Sequence, residues 1–276
     1  MRISIVGCGW LGLPLAKAAL KSGFTVKGTT TTEDKIPLLH ALGIDTYLLT
    51  LSAEQEIGME YDSLFDIDAL IVNVPPGGRN PEAAADYPKK MNQLRAAAER
   101  MGVSKVVFVS STSVYPQESK IFTEEMARTL SEVGSTRIFK AEEVWRNQPE
   151  FNTVILRCGG LIGGRRIPGK YFSGKTIDTG EMPVNYIHRE DIVALILFIL
   201  SNDISSLTLN AVSPYHPTRR EVYLKNADIF GFDPPVFEDN AKSISRVVSS
   251  VKLVEEFGFS FLYPDPLYYD YDGKST

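Results

Sequence analysis

The sequence predicts a doubly wound α/β fold: a mostly parallel sheet with helices on its faces and a small C-terminal lobe. Three observations carry this reading. Short β-branched or apolar runs alternate with longer stretches of helical apolar spacing, the rhythm of strand–helix–strand units. The largely apolar runs at 44–49 and 69–74 read as strands, as expected for strands buried on both faces of a parallel sheet. The chain also opens on a strand, residues 3–6, that stops in Gly7-Cys8-Gly9-Trp10-Leu11-Gly12 and passes directly into a helical pattern through Ala16, Ala19 and Leu20.

The totals bound the class. With 276 residues, 43% hydrophobic and 23% charged, the chain is an ordinary globular protein, long enough for one large α/β domain or a nucleotide domain plus a small lobe. A net charge of −5 gives no general attraction for nucleic acid or anionic lipid, so neither is expected as a partner. The two cysteines, Cys8 and Cys158, lack CxxC spacing, which points to free thiols in a reducing compartment. The longest apolar run, 192–200, is too short to span a bilayer, and no signal peptide precedes the opening strand; a cytoplasmic protein is expected. Neither His40 nor His216 has metal-ligand spacing with cysteines or carboxylates, so no metal site is expected.

Strand, G-x-G-x-x-G and helix in that order form the dinucleotide fingerprint of Rossmann-type folds. Gly7 permits the tight turn, Gly9 lets a pyrophosphate approach the backbone, and Gly12 lets helix and strand pack closely. The phosphates would rest on the helix N-terminus, whose dipole favours negative charge. After the second strand, 25–28, a carboxylate gripping the ribose 2′-hydroxyl is expected about 20 residues beyond the fingerprint. Thr29, Thr30 and Thr31 stand there instead, with Lys27 and Lys35 nearby. Without a repelling carboxylate a 2′-phosphate is tolerated, so NADP is favoured over NAD. Capping of the predicted helix 33–41 is the competing role for these threonines.

The fourth strand, 69–74, ends in Asn73-Val74-Pro75-Pro76-Gly77-Gly78, at the carboxyl edge where such sheets bind ligands. A long helix over 83–101 leads to the fifth strand, 105–109. The sixth is placed at 153–156 and the last sheet strand at 206–210. Two short helical patterns follow, around 219–230 and 250–257. The expected cofactor-binding set is Gly7, Cys8, Gly9, Trp10, Leu11, Gly12, Thr29, Thr30, Thr31, Lys35, Asn73, Val74, Pro75, Ser110 and Lys140.

The fifth strand runs into Ser110-Ser111-Thr112-Ser113-Val114-Tyr115. An apolar strand, a Ser/Thr cluster and Val-Tyr resemble the extended short-chain dehydrogenase/reductases, the NAD(P)-dependent epimerase and dehydratase group. The resemblance makes Ser111 the carbonyl-polarising hydroxyl; a serine-rich turn bonding its own backbone is the other role open to it. The family's Tyr-x-x-x-Lys falls on Thr136 and Lys140. Residues 136 and 140 share a helical face. The resemblance leaves Lys140 a ribose-holding role, but threonine does not ionise near neutral pH and cannot be the acid/base. This departure, with Arg137, Ala141 and Glu142 as Arg-x-x-x-Ala-Glu, resembles the atypical YeeZ-like group. Arg157 to Arg165 is similar to the family's loop into the substrate lobe; Arg165, Arg166, Lys170 and Lys175 form a local basic cluster suited to a phosphate or carboxylate. The segment 185–193 resembles the family's Ile-His-x-x-Asp, which implies a structural His188 and a substrate-facing Tyr186.

The resemblance implies an oxidoreductase or epimerase-like enzyme acting on a carbonyl or alcohol of a small molecule such as a nucleotide sugar. Ser111, Lys140 and Tyr186 would be catalytic, and Tyr115, Arg157 and Arg165 would bind substrate. The missing tyrosine favours a second reading, an NAD(P)-binding sensor without turnover. Residues 1–158 and 186–212 are expected to form the nucleotide domain, and 159–185 with 213–276 the small lobe, as a monomer or homodimer.

Overall fold

The computed structural model describes residues 1–77, 85–146, 148–202, 204, 206–238, 244–271 and 274–275. The elements in chain order are β1 (Arg2–Val6), α1 (Gly12–Lys21), β2 (Thr25–Thr30), α2 (Ile36–Ala41), β3 (Asp45–Leu48), α3 (Asp62–Phe65), β4 (Ala69–Val72), α4 (Tyr87–Arg100) and β5 (Lys105–Ser111). Then come β6 (Ile121–Phe122), α5 (Thr136–Trp145), β7 (Asn152–Cys158), β8 (Gly160–Ile162), β9 (Thr176–Ile177), β10 (Tyr186–His188), α6 (Arg189–Ser201) and β11 (Leu207–Ala211). Last are α7 (Arg219–Phe230), β12 (Val236–Phe237), β13 (Val247–Val248), α8 (Val251–Glu255) and the short pair β14 (Asp270–Tyr271) and β15 (Lys274–Ser275).

Seven strands form one sheet in the order β11-β7-β5-β4-β1-β2-β3, and the pairs β1–β2, β1–β4, β2–β3 and β4–β5 are parallel. The strand order reverses at β1, which sits between β4 and β2; ligands of doubly wound sheets bind at the carboxyl ends beside such a reversal. All four residues of β4 are buried, which explains its unbroken apolar run. In α1 the buried residues Gly12, Leu15, Ala16 and Ala19 fall at helical spacing on one face. Gly23, at φ +82°, takes the left-handed conformation just past that helix. Element boundaries differ by a few residues from those expected. The second strand runs on to Thr30 and takes in Thr29. The predicted long helix is described from Tyr87, and its expected start at 83–84 lies outside the described residues.

Contacts group the chain into two units. One comprises Met1–Val114, Ser135–Leu156 and Ile196–Thr208; the other comprises Tyr115–Gly134, Arg157–Leu195 and Leu209–Thr276. Segments 115–134, 157–158, 186–195 and 209–212, assigned to the nucleotide domain on sequence, fall in the second. Within the second unit, Val184, Val222 and Tyr223 form one buried cluster, and Ile162, Ile167, Tyr269 and Tyr271 another. α7 is closed at both ends, by a capping box between Thr218 and Glu221 and by Gly231 at φ +67°. Among the described residues no helix is long and apolar enough to cross a membrane.

Candidate dinucleotide site

In the first unit the glycine turn is held from three sides. Gly7 sits at φ +107°, a conformation open to glycine, and a Cβ there would lie 2.5 Å from the Asn73 carbonyl oxygen. A Cβ on Gly12 would lie 2.1 Å from the Gly7 carbonyl oxygen, so helix and turn are in direct backbone contact. Gly9 differs: nothing lies within 4 Å of its Cβ position. Its open face is what a pyrophosphate requires to reach the backbone, so the turn fits a dinucleotide.

The turn is fixed by groups expected to touch the cofactor directly. The Gly7 N–H donates to Thr29 Oγ1 at 2.9 Å, and the Cys8 N–H donates to the Thr29 carbonyl at 2.9 Å. Asn73 Nδ2 donates to the Gly7 carbonyl at 3.1 Å. Thr29 and Asn73 therefore position the loop. Thr30 Oγ1 accepts from the Thr32 N–H at 3.2 Å. Thr32, not Thr31, is the cap residue of the short 3-10 turn that precedes α2, and it makes no side-chain cap. Cys8 points inward, its Sγ only 2.4 Å from where a Cβ on Gly28 would stand, and burial raises its thiol to about 11. Leu11 is buried and Trp10 half-buried, so Leu11 can offer a ligand only its backbone.

A cavity of about 360 Å³ opens beside this turn, within the size range of ligand pockets. Gly7, Cys8, Gly9, Thr29, Thr30, Thr31, Lys35, Val74 and Pro75, all in the set assigned to cofactor binding on sequence, line it. The sequence missed Leu49, Thr50 and Leu51 after β3, and Tyr87 and Lys90 on α4. Tyr87 is buried, and its hydroxyl donates to the Val74 carbonyl at 2.9 Å, tying the loop after β4 to the helix. The described lining holds two lysines, Lys35 and Lys90, and no aspartate or glutamate. Lys27, by contrast, is committed to the Ser63 carbonyl.

Ser110, Ser111 and Lys140 are not among the lining residues. The buried Ser110 hydroxyl donates to Glu142 Oε1 at 2.6 Å, and Glu142 Oε2 accepts from Arg146 Nη2 at 2.8 Å. Ser110 thus anchors α5 to the end of β5. Ser111 Oγ accepts from the Ser113 N–H at 3.1 Å, the serine turn weighed as the alternative, and this bond does not consume its own hydrogen. Thr136 and Lys140 are exposed on α5, which packs against β5.

In the second unit, two expected substrate groups, Tyr115 and Arg157, are buried, and the expected catalytic Tyr186 is half-buried. Tyr115 is fully buried; its hydroxyl donates to Asn210 Oδ1 at 2.7 Å and accepts from Arg157 Nη1 at 3.0 Å. Burial raises its phenol, with the Arg157 charge opposing. Arg157, 1% exposed, also donates to the Met126 carbonyl at 3.0 Å and the Ala127 carbonyl at 3.4 Å. It thereby holds a loop in which Ala127 takes the strained φ of +56°. Neither residue can meet a substrate, because both are spent inside the unit. Tyr186 pairs with Tyr223, hydroxyl to hydroxyl at 3.1 Å, and burial followed by that neighbour raises its phenol well above the ordinary value. Its hydroxyl is thus engaged by a neighbouring phenol within the unit. Arg165 is exposed on the turn between the bridged residues Gly163 and Arg166. His188 is buried, Nε2 against the Asp270 carbonyl at 2.9 Å and Nδ1 accepting the Glu190 N–H at 3.3 Å.

The NAD(P)H-binding family model matches residues 7–203. The Escherichia coli (strain K12) protein YeeZ is 34% identical over 269 residues, covering 96% of this chain and 97% of that protein. The UDP-Glc/GlcNAc 4-epimerase of Campylobacter jejuni shares the fold at a TM-score of 0.79 and 18% identity, over 96% of this chain and 95% of that one. A short-chain dehydrogenase/reductase superfamily protein of Agrobacterium tumefaciens with bound NAD superposes at a TM-score of 0.78 and 18% identity, over 97% of this chain and 94% of that one. At such identity the two structures speak for the fold alone. The glycine turn fits a dinucleotide, and the sequence match spans nearly the whole chain: it belongs to the NAD(P)H-binding family, with YeeZ as a full-length relative.

Proposed function

We propose that the chain is an NADP-preferring oxidoreductase or epimerase-like enzyme acting on a carbonyl or alcohol, with a nucleotide sugar as the substrate class. One observation carries the cofactor part: the open face of Gly9 adjoins a cavity lined by two lysines and, among the described residues, no carboxylate. The nicotinamide supplies hydride exchange when bound. The chain's own contribution is orientation and charge. Ser111 retains a hydrogen to donate to an oxygen that gains negative charge, and Lys140 brings a positive charge on the neighbouring helix. Nucleotide-sugar enzymes of this fold, such as the Campylobacter epimerase, support the substrate class.

The test is calorimetric titration with NADP and NAD, followed by absorbance of the nicotinamide across carbonyls, alcohols and nucleotide sugars. For an enzyme, Ser111→Ala lowers turnover about 10²–10³-fold, the worth of one oxyanion donor, and leaves dinucleotide affinity in place. Cofactor that stays inert throughout would select the second reading, a dinucleotide-binding sensor. That reading has its own support: Thr136 replaces the ionisable tyrosine, and Tyr115 and Tyr186 are bonded internally.

Coenzyme preference has a separate expectation. Thr30→Asp or Lys90→Met should each weaken NADP binding by roughly fivefold to tenfold, since one unit charge at close range near a surface is worth about 1 kcal/mol or more. NAD affinity should hold. A wild type that already prefers NAD in competition titrations removes the 2′-phosphate from the proposal.

A further inference from the structure

Arg137 opens the Arg-x-x-x-Ala-Glu run of α5, and neither the fold nor the proposed chemistry uses it. It is half-buried, and its Nε is fully buried with no hydrogen-bond partner among the described residues. Two fully buried charged groups, by contrast, have their partners. Arg157 spends its guanidinium on a phenol and two carbonyls, and Glu142, five residues along α5, is taken by Ser110 and Arg146. A desolvated guanidinium donor left unpaired is costly, so such a group marks a place where an oxyanion belongs. Its position adds a second observation: α5 packs against α4, and Tyr87 at the start of α4 lines the dinucleotide cavity.

We infer that Arg137 is a ligand-binding residue that receives a phosphate-type oxyanion beside Tyr87. The planar fork of arginine suits two phosphate oxygens at once, which a lysine ammonium does not reproduce. The inference rests on the dinucleotide reading of the cavity. The oxyanion can come from the dinucleotide or from a second, phosphate-bearing ligand bound after it.

The experiment compares wild type, Arg137→Met and Arg137→Lys. Each is titrated with NADP, and each NADP-saturated protein is then titrated with inorganic pyrophosphate. If the dinucleotide supplies the oxyanion, Arg137→Met loses about tenfold to a hundredfold in NADP affinity, Arg137→Lys recovers part of it, and pyrophosphate binding shows no dependence on residue 137. If a second ligand supplies it, NADP affinity is unchanged and pyrophosphate binds the loaded wild type but not Arg137→Met. Folded variants in which neither affinity changes would overturn the inference. So would an Arg137→Met protein that melts well below wild type, because an unpaired guanidinium contributes no stability to lose. A wild type that binds no NADP fails the functional proposal separately, while pyrophosphate titration of the unloaded proteins still reads Arg137.

Discussion

Gly9→Val should leave the protein folded and remove dinucleotide binding. The Cβ position has nothing within 4 Å, so a side chain can branch there without a clash at its Cβ. The added methyl groups occupy the side from which a pyrophosphate reaches the backbone. Losing two charge-assisted hydrogen bonds costs about 3–6 kcal/mol, which is roughly 10²–10⁴-fold in affinity. Gly12→Ala is the informative counterpart. Its methyl would stand 2.1 Å from the Gly7 carbonyl oxygen, and the helix must move away from the turn. That overpacking costs about 1–3 kcal/mol of stability besides the binding. Calorimetry with NADP, alongside thermal melts, separates the two. Undiminished binding by a folded Gly9→Val protein would remove the glycine turn from the site.

Arg157→Met should cost stability and not substrate affinity. The buried guanidinium is the donor to the Tyr115 hydroxyl and to the carbonyls of Met126 and Ala127. Methionine fills much of the space but donates nothing, and buried acceptors left bare cost about 1–3 kcal/mol each. A loss of roughly 3–5 kcal/mol follows, read as a lower midpoint in urea. A variant as stable as wild type would mean that the loop around Ala127 does not need its arginine.

Much of the fold was legible because its signals are local. A glycine that must clear a neighbouring carbonyl is required at its position whatever the rest of the chain does. A strand buried on both faces must be apolar throughout, as β4 is. The cofactor loop was found for the same reason. The misplaced residues share a different property: their role depends on where a side chain points. Tyr115 and Arg157 stand in motifs that resemble a substrate loop, yet Asn210, far along the chain, turns Tyr115 inward. Thr29 lies on the expected strand edge, but the extra length of β2 aims its hydroxyl at Gly7. Lys90 and Tyr87 reach the cavity from a helix that shares no motif with the glycine turn, and no spacing rule connects them.

The short stretch from His188 to Asp191 has a consequence for the protons exchanged on folding. Asp191 is fully buried, accepts the N–H groups of Leu262 at 2.6 Å and Tyr263 at 3.1 Å, and is pushed by burial to about 6. Burial lowers His188 below its ordinary value, against the weaker opposing effects of Asp270 and Glu190. A raised carboxyl binds its proton more tightly folded than unfolded, so its contribution is largest in acid and is lost as pH rises towards 6. A lowered imidazole does the reverse, and its contribution is lost as pH falls below the unfolded value near 6.5. Over mildly acid pH the two slopes have opposite sign. Folding takes up a proton at one end of the Ile-His-x-x-Asp run and releases one at the other, so this anchor of the C-terminal segment is buffered against acidification by its own composition.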